Sequence, residues 1–186
     1  DDAQALGVAG VERDFLVAGF AQPGDVVIDR MRALTRVWRD QVEFTNGHTR
    51  EADGSLLHCS HGLRAIVRTR FDSGLTNARD EIVVSHYQGR RLNSPNDVVV
   101  KSDGTIWFTD PPYGIASDAE GHQAESDIGR CCVYRFDPAS GSLRQASDWL
   151  EEPNGLAFSP DESVLYVSDT SAALRTEGGG HHHLVA

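Results

Sequence analysis

The 186-residue chain is 39% hydrophobic, enough for one ordinary core, and its length alone predicts one domain. Seventeen Lys and Arg stand against 28 Asp and Glu, a formal net charge of −11. A field of that sign repels phosphate backbones and anionic bilayers, which excludes nucleic acid and membrane surfaces as expected partners. No apolar run approaches the roughly 20 residues that a membrane-spanning helix needs.

The chain opens on Asp1-Asp2-Ala3-Gln4, with neither a basic n-region nor a long apolar h-region, so no signal peptide is expected within these residues. Three cysteines, Cys59, Cys131 and Cys132, make an odd count with two adjacent members, which is not a disulfide framework. Neither observation fixes a compartment, and nothing in the sequence fixes an oligomeric state. After Thr45 helical periodicity gives way to β-rich runs. Asp97-Val98-Val99-Val100, Thr105-Ile106-Trp107-Phe108, Val133-Tyr134-Arg135-Phe136 and Val164-Leu165-Tyr166-Val167 read as strands bounded by turns. Asp53-Gly54 and Asp103-Gly104 stand where tight hairpin turns belong.

These hairpins repeat. Asn46, Asn96 and Asn154 each precede an aspartate, Asp53, Asp103 and Asp161, by seven residues. Each is followed by an apolar segment, the acidic turn and a second strand. Two third strands end in Phe-Asp, at Phe71-Asp72 and Phe136-Asp137, and the asparagines are spaced by 50 and then 58 residues. Units of about 40 to 50 residues built from four short strands are the signature of propeller blades. The expected fold is all-β: an incomplete β-propeller of about three to four blades of four antiparallel strands. At about 50 residues per blade the chain makes fewer than four. Residues 1–28 fit the repeat poorly and are expected to be at most part of a first blade, with residues 29–186 forming the partial propeller.

In such a blade the first strand lines the central channel, so the three asparagines are expected at one end of it, with the Asp-Gly turns at the other. Asp110 and Asp169 close second strands and return to the asparagine face. Two readings follow. Amide oxygens and carboxylates gathered there suit a hard cation, or the asparagines merely hydrogen-bond strand ends and satisfy turn amides. The connection at 111–129, with Pro111-Pro112-Tyr113-Gly114, overhangs that face, either as a substrate wall or as a disordered acidic loop. His58 and His61 flank Cys59, but no second Cys/His cluster stands at ligand spacing to make a transition-metal site. His181, His182 and His183 read as a solvated strand start, because alternate residues of a strand face opposite ways. Neither a Gly-x-Ser-x-Gly elbow nor a phosphate loop is present.

Residues 91–115, running from Arg91-Leu92-Asn93-Ser94-Pro95-Asn96-Asp97 to Thr109-Asp110-Pro111-Pro112-Tyr113-Gly114-Ile115, closely resemble bacterial gluconolactonases. Pro153-Asn154-Gly155-Leu156-Ala157-Phe158-Ser159-Pro160-Asp161 with Leu165-Tyr166-Val167-Ser168-Asp169-Thr170 is a second match, and Thr45-Asn46-Gly47 with Cys59 and His61-Gly62 a looser third. The resemblance is to the senescence marker protein, gluconolactonase and luciferin-regenerating enzyme family. It implies a six-bladed propeller that opens sugar-derived lactones with one divalent cation, calcium or zinc, at its axis. It marks Asn154 and Asn96 as metal contacts, with Asn96 also reaching the metal-bound water or substrate; Tyr113, in the connection read as a substrate wall, is the further substrate-binding candidate. The resemblance leaves the catalytic base unidentified. The family's first-blade Glu-Gly-Pro-x-Trp motif has no counterpart here, and its later aspartate lies beyond Ala186. Two other readings stay open for these residues: phosphotriester hydrolysis at the same kind of site, and a non-catalytic propeller fragment that binds a small molecule or a partner.

Overall fold

The computed structural model describes the backbone of residues 15–18, 25–29 and 34–39, and residues 42–72, 77–175 and 177–186 in full. The opening residues 1–4 and the stretch 19–24 lie outside them. Four antiparallel sheets follow one another along the chain. Strands β1 (Phe15–Ala18), β2 (Asp25–Asp29) and β3 (Leu34–Arg39) form the first. The second is β4 (Thr45–Arg50), β5 (Leu56–Ser60), β6 (Ala65–Phe71) and β7 (Ala78–Val84). A two-stranded ribbon, β8 (His86–Tyr87) with β9 (Arg90–Arg91), leads on. The third sheet is β10 (Val98–Val100), β11 (Ile106–Asp110), β12 (Cys132–Asp137) and β13 (Ser142–Ser147). The fourth is β14 (Pro153–Phe158), β15 (Leu165–Asp169) and β16 (His183–Val185).

Neighbours in sequence are neighbours in each sheet, and the first strands stand side by side, β1 by β4, β4 by β10 and β10 by β14. That is the arrangement of consecutive propeller blades around a channel. The expected four strands per blade are complete in the second and third sheets; the first and fourth show three among the described residues.

The repeated Asp-Gly turns close the first hairpins for a local reason. Gly54 and Gly104 adopt φ of 88° and 81°, the left-handed region that a Cβ makes costly. Their N–H groups donate to Glu51 O and Lys101 O at 3.0 and 2.8 Å. The preceding Asp53 and Asp103 accept the N–H two residues on, from Ser55 and Thr105, both at 2.9 Å. The third copy keeps the turn with Glu162 at φ 56° in the glycine position.

Blade three is buried on both faces, which explains why its strands read as unbroken apolar runs. Val98, Ile106, Phe108, Cys132 and Tyr134 pack toward blade two, on Leu57, Cys59 and Ile66. The alternate residues Val99, Trp107 and Val133 pack toward blade four, on Leu156 and Val167. Each large apolar side chain buried this way contributes about 1.5–3 kcal/mol. Blades two and four thus cover the two faces of blade three's inner strands. The ends of the inner strands are consequently fixed against one another.

Candidate functional site at the asparagine end of the channel

The three repeat asparagines lie next to one another at one end of the inner strands. Gly47 N–H, beside Asn46, donates to Asn96 O at 2.8 Å. Asn96 N–H donates to Thr109 O at 3.0 Å, and the Thr109 hydroxyl donates to Asn154 O at 2.6 Å. Three blades are therefore stitched through the backbone atoms of these asparagines, leaving their carboxamides to do something else. Asn96 is buried, and its carboxamide takes no hydrogen bond from a described residue. Asn154 Nδ2 donates to Thr170 Oγ1 at 3.0 Å, which turns Oδ1 away from that bond.

Tyr113 begins the four-residue helix α1 (Tyr113–Ala116), inside the long connection between β11 and β12. Its hydroxyl lies 2.7 Å from Thr170 Oγ1 and against the Asn154 carboxamide and the Glu152 carboxylate. Burial first of all pushes the Tyr113 hydroxyl up to about 12, so it stays protonated at neutral pH. Glu152 is raised by burial, and its buried Oε2 takes no hydrogen bond from a described residue. Tyr113 and Asn154, 41 positions apart, are thus brought together through Thr170, while Asn96 joins them through Thr109.

The connection at 111–129 is an ordered wall, not a disordered acidic loop. Ser94 Oγ donates to Pro111 O at 2.6 Å and accepts Gly114 N–H at 2.9 Å. Ser126 Oγ donates to Asn93 Oδ1 at 2.6 Å. His61 Nδ1 stands 2.9 Å from Glu120 O.

The aspartates behave differently from the carboxylate cage allowed for in the sequence. Asp110 is fully buried, and its two oxygens accept the N–H groups of Asn93 and Ser94, each at 2.9 Å. Burial pushes it up to about 7, against the pull of those two amides and of Arg64. Asp169 accepts Glu151 N–H at 2.8 Å, Ser171 N–H at 3.1 Å and Glu152 N–H at 3.4 Å. Burial pushes Asp169 up, but the amides outweigh it and hold the carboxyl below its usual value. These strand-end aspartates spend their oxygens on backbone amides. It is the asparagines whose carboxamide oxygens take no hydrogen bond among the described residues.

Among the described residues no three His, Cys, Asp or Glu side chains converge as a metal-binding group. His58 and His61 do not combine with Cys59: the His58 ring faces His48 at 5.7 Å between centroids, whereas His61 turns to Asn46 and Glu120. The three cysteines are free thiols. His183 opens β16, and it and His182 are exposed as expected of a strand start, whereas His181 is half-buried and donates its N–H to Ser171 Oγ at 2.8 Å. Glu152, Thr109 and Thr170 were not legible as site residues. Thr109 and Thr170 flank the repeat aspartates, which was the available signal, and Glu152 carried none.

The chain is 39% identical over 129 residues to a gluconolactonase of Zymomonas mobilis, covering 69% of this chain and 34% of that protein. It is 34% identical over 94 residues to a lactonohydrolase of Aspergillus oryzae, covering 50% of this chain and 21% of the other. A solved gluconolactonase from Xanthomonas campestris superposes with a TM-score of 0.76 at 42% identity, over 85% of this chain and 51% of that one. The chain thus spans about a third of the curated gluconolactonase and about half of the solved one. Residues 24–176 match the family model described as SMP-30/Gluconolactonase/LRE-like region, and the chain belongs to that family.

Proposed function

We propose that these residues contribute to a hydrolase that opens sugar-derived lactones. The observation that carries the reading is the convergence of Asn96, Asn154 and Tyr113 at one end of the inner strands in a member of this family. Relatives named gluconolactonase and lactonohydrolase support the reaction class. In that reaction water adds to the ring carbonyl, the ring C–O bond breaks, and a hydroxy acid forms.

Asn96 and Asn154 would hold one divalent cation through their carboxamide oxygens, and Glu152 offers a nearby carboxylate oxygen that takes no hydrogen bond from a described residue. Oxygen donors of this kind suit calcium, whereas zinc sites draw on nitrogen and sulfur. A calcium ion takes about 6–8 oxygens, so water, substrate and further protein groups complete the shell. The cation would supply Lewis-acid polarisation of the lactone carbonyl. Tyr113, protonated and fixed by Thr170, serves as a polar wall for the substrate.

The test is hydrolysis of glucono-δ-lactone, followed by acid release, with calcium, zinc or chelator added. Asn154→Ala is expected to lose metal affinity and kcat/KM together, by more than the roughly 10–100-fold that outer-shell partners cost. Unchanged activity in that variant removes Asn154 from the site.

A further inference from the structure

Asn46 occupies the same repeat position as Asn96 and Asn154, yet its side chain is held by a different device. Its Nδ2 lies 3.4 Å from His61 Nε2, while His61 Nδ1 lies 2.9 Å from the carbonyl oxygen of Glu120. A carbonyl only accepts, so Nδ1 carries the ring proton in the neutral imidazole. His61 is 1% exposed, and burial lowers it below its usual value, which keeps the ring neutral at pH 7. Nε2 is then a lone pair that accepts from the Asn46 amide. That bond sets the rotation of the carboxamide and leaves Asn46 Oδ1 with no partner among the described residues.

The ring itself cannot swing. Gly114 packs against it so closely that a Cβ there would come within 2.5 Å of His61 Cβ and 2.8 Å of Ser94 Cβ. Gly114 follows Tyr113, whose hydroxyl reaches Thr170 on the Asn154 side. The overhanging connection thus fixes Tyr113 at one side of the face and the His61–Asn46 pair at the other. His61 is too buried to touch a substrate. Asn46 is half-buried and presents an acceptor to whatever enters.

Building on the lactonase reading, we propose that Asn46 is a specificity-determining contact that accepts a hydrogen bond from a ring hydroxyl of the substrate. His61 is the positioning residue that aims it. An acceptor at this point selects hydroxylated lactones over bare ones, because leaving Oδ1 unpaired under an apolar ring loses the bond without compensation.

The experiment compares glucono-δ-lactone with δ-valerolactone, which has the same ring without hydroxyls. The ratio of the two kcat/KM values is independent of the active fraction of a preparation. His61→Leu and Asn46→Ala are each expected to lower that ratio about tenfold, the size of one neutral hydrogen bond, mostly through KM for the hydroxylated lactone. His61→Gln, which keeps an acceptor, should restore most of it. An unchanged ratio in both His61→Leu and Asn46→Ala overturns the proposal while leaving the lactonase reading intact. If the protein hydrolyses neither lactone, that reading fails and NMR still decides this one. The Nδ1-protonated tautomer of His61 and a shift of the Asn46 amide on adding D-gluconate support it. The other tautomer, or an unmoved amide, overturns it.

Discussion

The two ends of the inner hairpins use the same residue types in opposite ways. At the turn end, Asp53, Asp103 and Asp161 are exposed, and each closes a short loop by accepting an amide two residues on, from Ser55, Thr105 and Ser163. At the channel end, Asp110 and Asp169 also accept backbone amides, but mainly from loops 16 to 18 residues back along the chain, with Asp169 adding Ser171 N–H two residues on, and they do so in the interior. Blade two has Ser60 in this place, and the polarity reverses: its hydroxyl donates to Glu43 O at 2.7 Å. The repeat aspartates are therefore structural at both ends. What separates the ends is the asparagines, whose backbone joins the blades and whose carboxamides remain for chemistry. A carboxylate at the mouth of a propeller is weak evidence for a metal until its amide partners have been counted.

The largest effect separating the ends is expected from pH. Asp110 stands at about 7 in the folded state and near 3.9 when unfolded. Between those values the folded protein holds the proton and the unfolded chain does not. The contribution of Asp110 is accordingly complete below pH 4 and lost as pH rises through 7, a swing of up to about 4 kcal/mol at 1.36 kcal/mol per unit. Asp97 and Glu152, also raised by burial, act in the same direction, and His61, lowered by burial, acts in the opposite one. The measurement is therefore the difference in slope between the wild type and Asp110→Asn, from urea unfolding at pH 5 and pH 8. The wild type should lose stability across that interval more steeply than the variant. Equal slopes would mean that Asp110 is ionised throughout and that its two amides outweigh burial.

The next effect sharpens the claim that the asparagine backbone joins the blades. A Cβ on Gly47 would meet the Asp97 carboxylate, and would lie 2.6 Å from Asp97 Cα and 2.7 Å from Asn96 O. The last two are backbone atoms of the neighbouring blade and have no rotamer to change. Gly47→Ala is expected to cost about 3 kcal/mol, at the upper end of ordinary overpacking, with blades two and three forced apart. Asp97 binds Leu156 N–H of blade four at 3.0 Å, so the strain should reach the Asn96–Asn154 pair too. Thermal unfolding gives the loss directly. A shift under about 0.5 kcal/mol would show that the inner strands slide freely.

The fold was legible because its signals are local. Asp-Gly turns, a seven-residue step from Asn to Asp, and runs such as Val98-Val99-Val100 follow from turn geometry and double-faced burial within one hairpin. The placement of Asn96 and Asn154 at one end was legible for the same reason, since a repeat carries equivalent positions to equivalent places. What the spacing hides is which atoms are already occupied. Asp110 looked available because its partners sit in the loop before the first strand. His61 shows no role by its place beside Cys59, because its ring answers to Glu120, 59 residues away. Tyr113 and Thr170 meet across 57 residues. Glu152 acquires its interest only from a buried oxygen that takes no hydrogen bond among the described residues, which no motif encodes.

The smallest effect lies at the turn end and isolates conformation from contact. Gly104 and Glu162 hold the same place in successive repeats, at φ of 81° and 56°, and both N–H groups close the turn at 2.8 Å. A Cβ added at Gly104 meets nothing within 4 Å, so Gly104→Ala should cost only the left-handed backbone penalty, about 1 kcal/mol. Glu162 already bears that penalty. In partial return its carboxylate accepts Ser102 N–H at 2.9 Å and the Ser102 hydroxyl at 2.5 Å, across the gap to blade three. Glu162→Ala removes the carboxylate and keeps the Cβ, whereas Glu162→Gly removes both. The glycine variant should therefore be the more stable of the two, by the same ~1 kcal/mol that Gly104→Ala loses. If alanine proves equal to glycine at 162, the turn relaxes to negative φ without harm. The left-handed residue would then be a consequence of the hairpin and not a requirement for it.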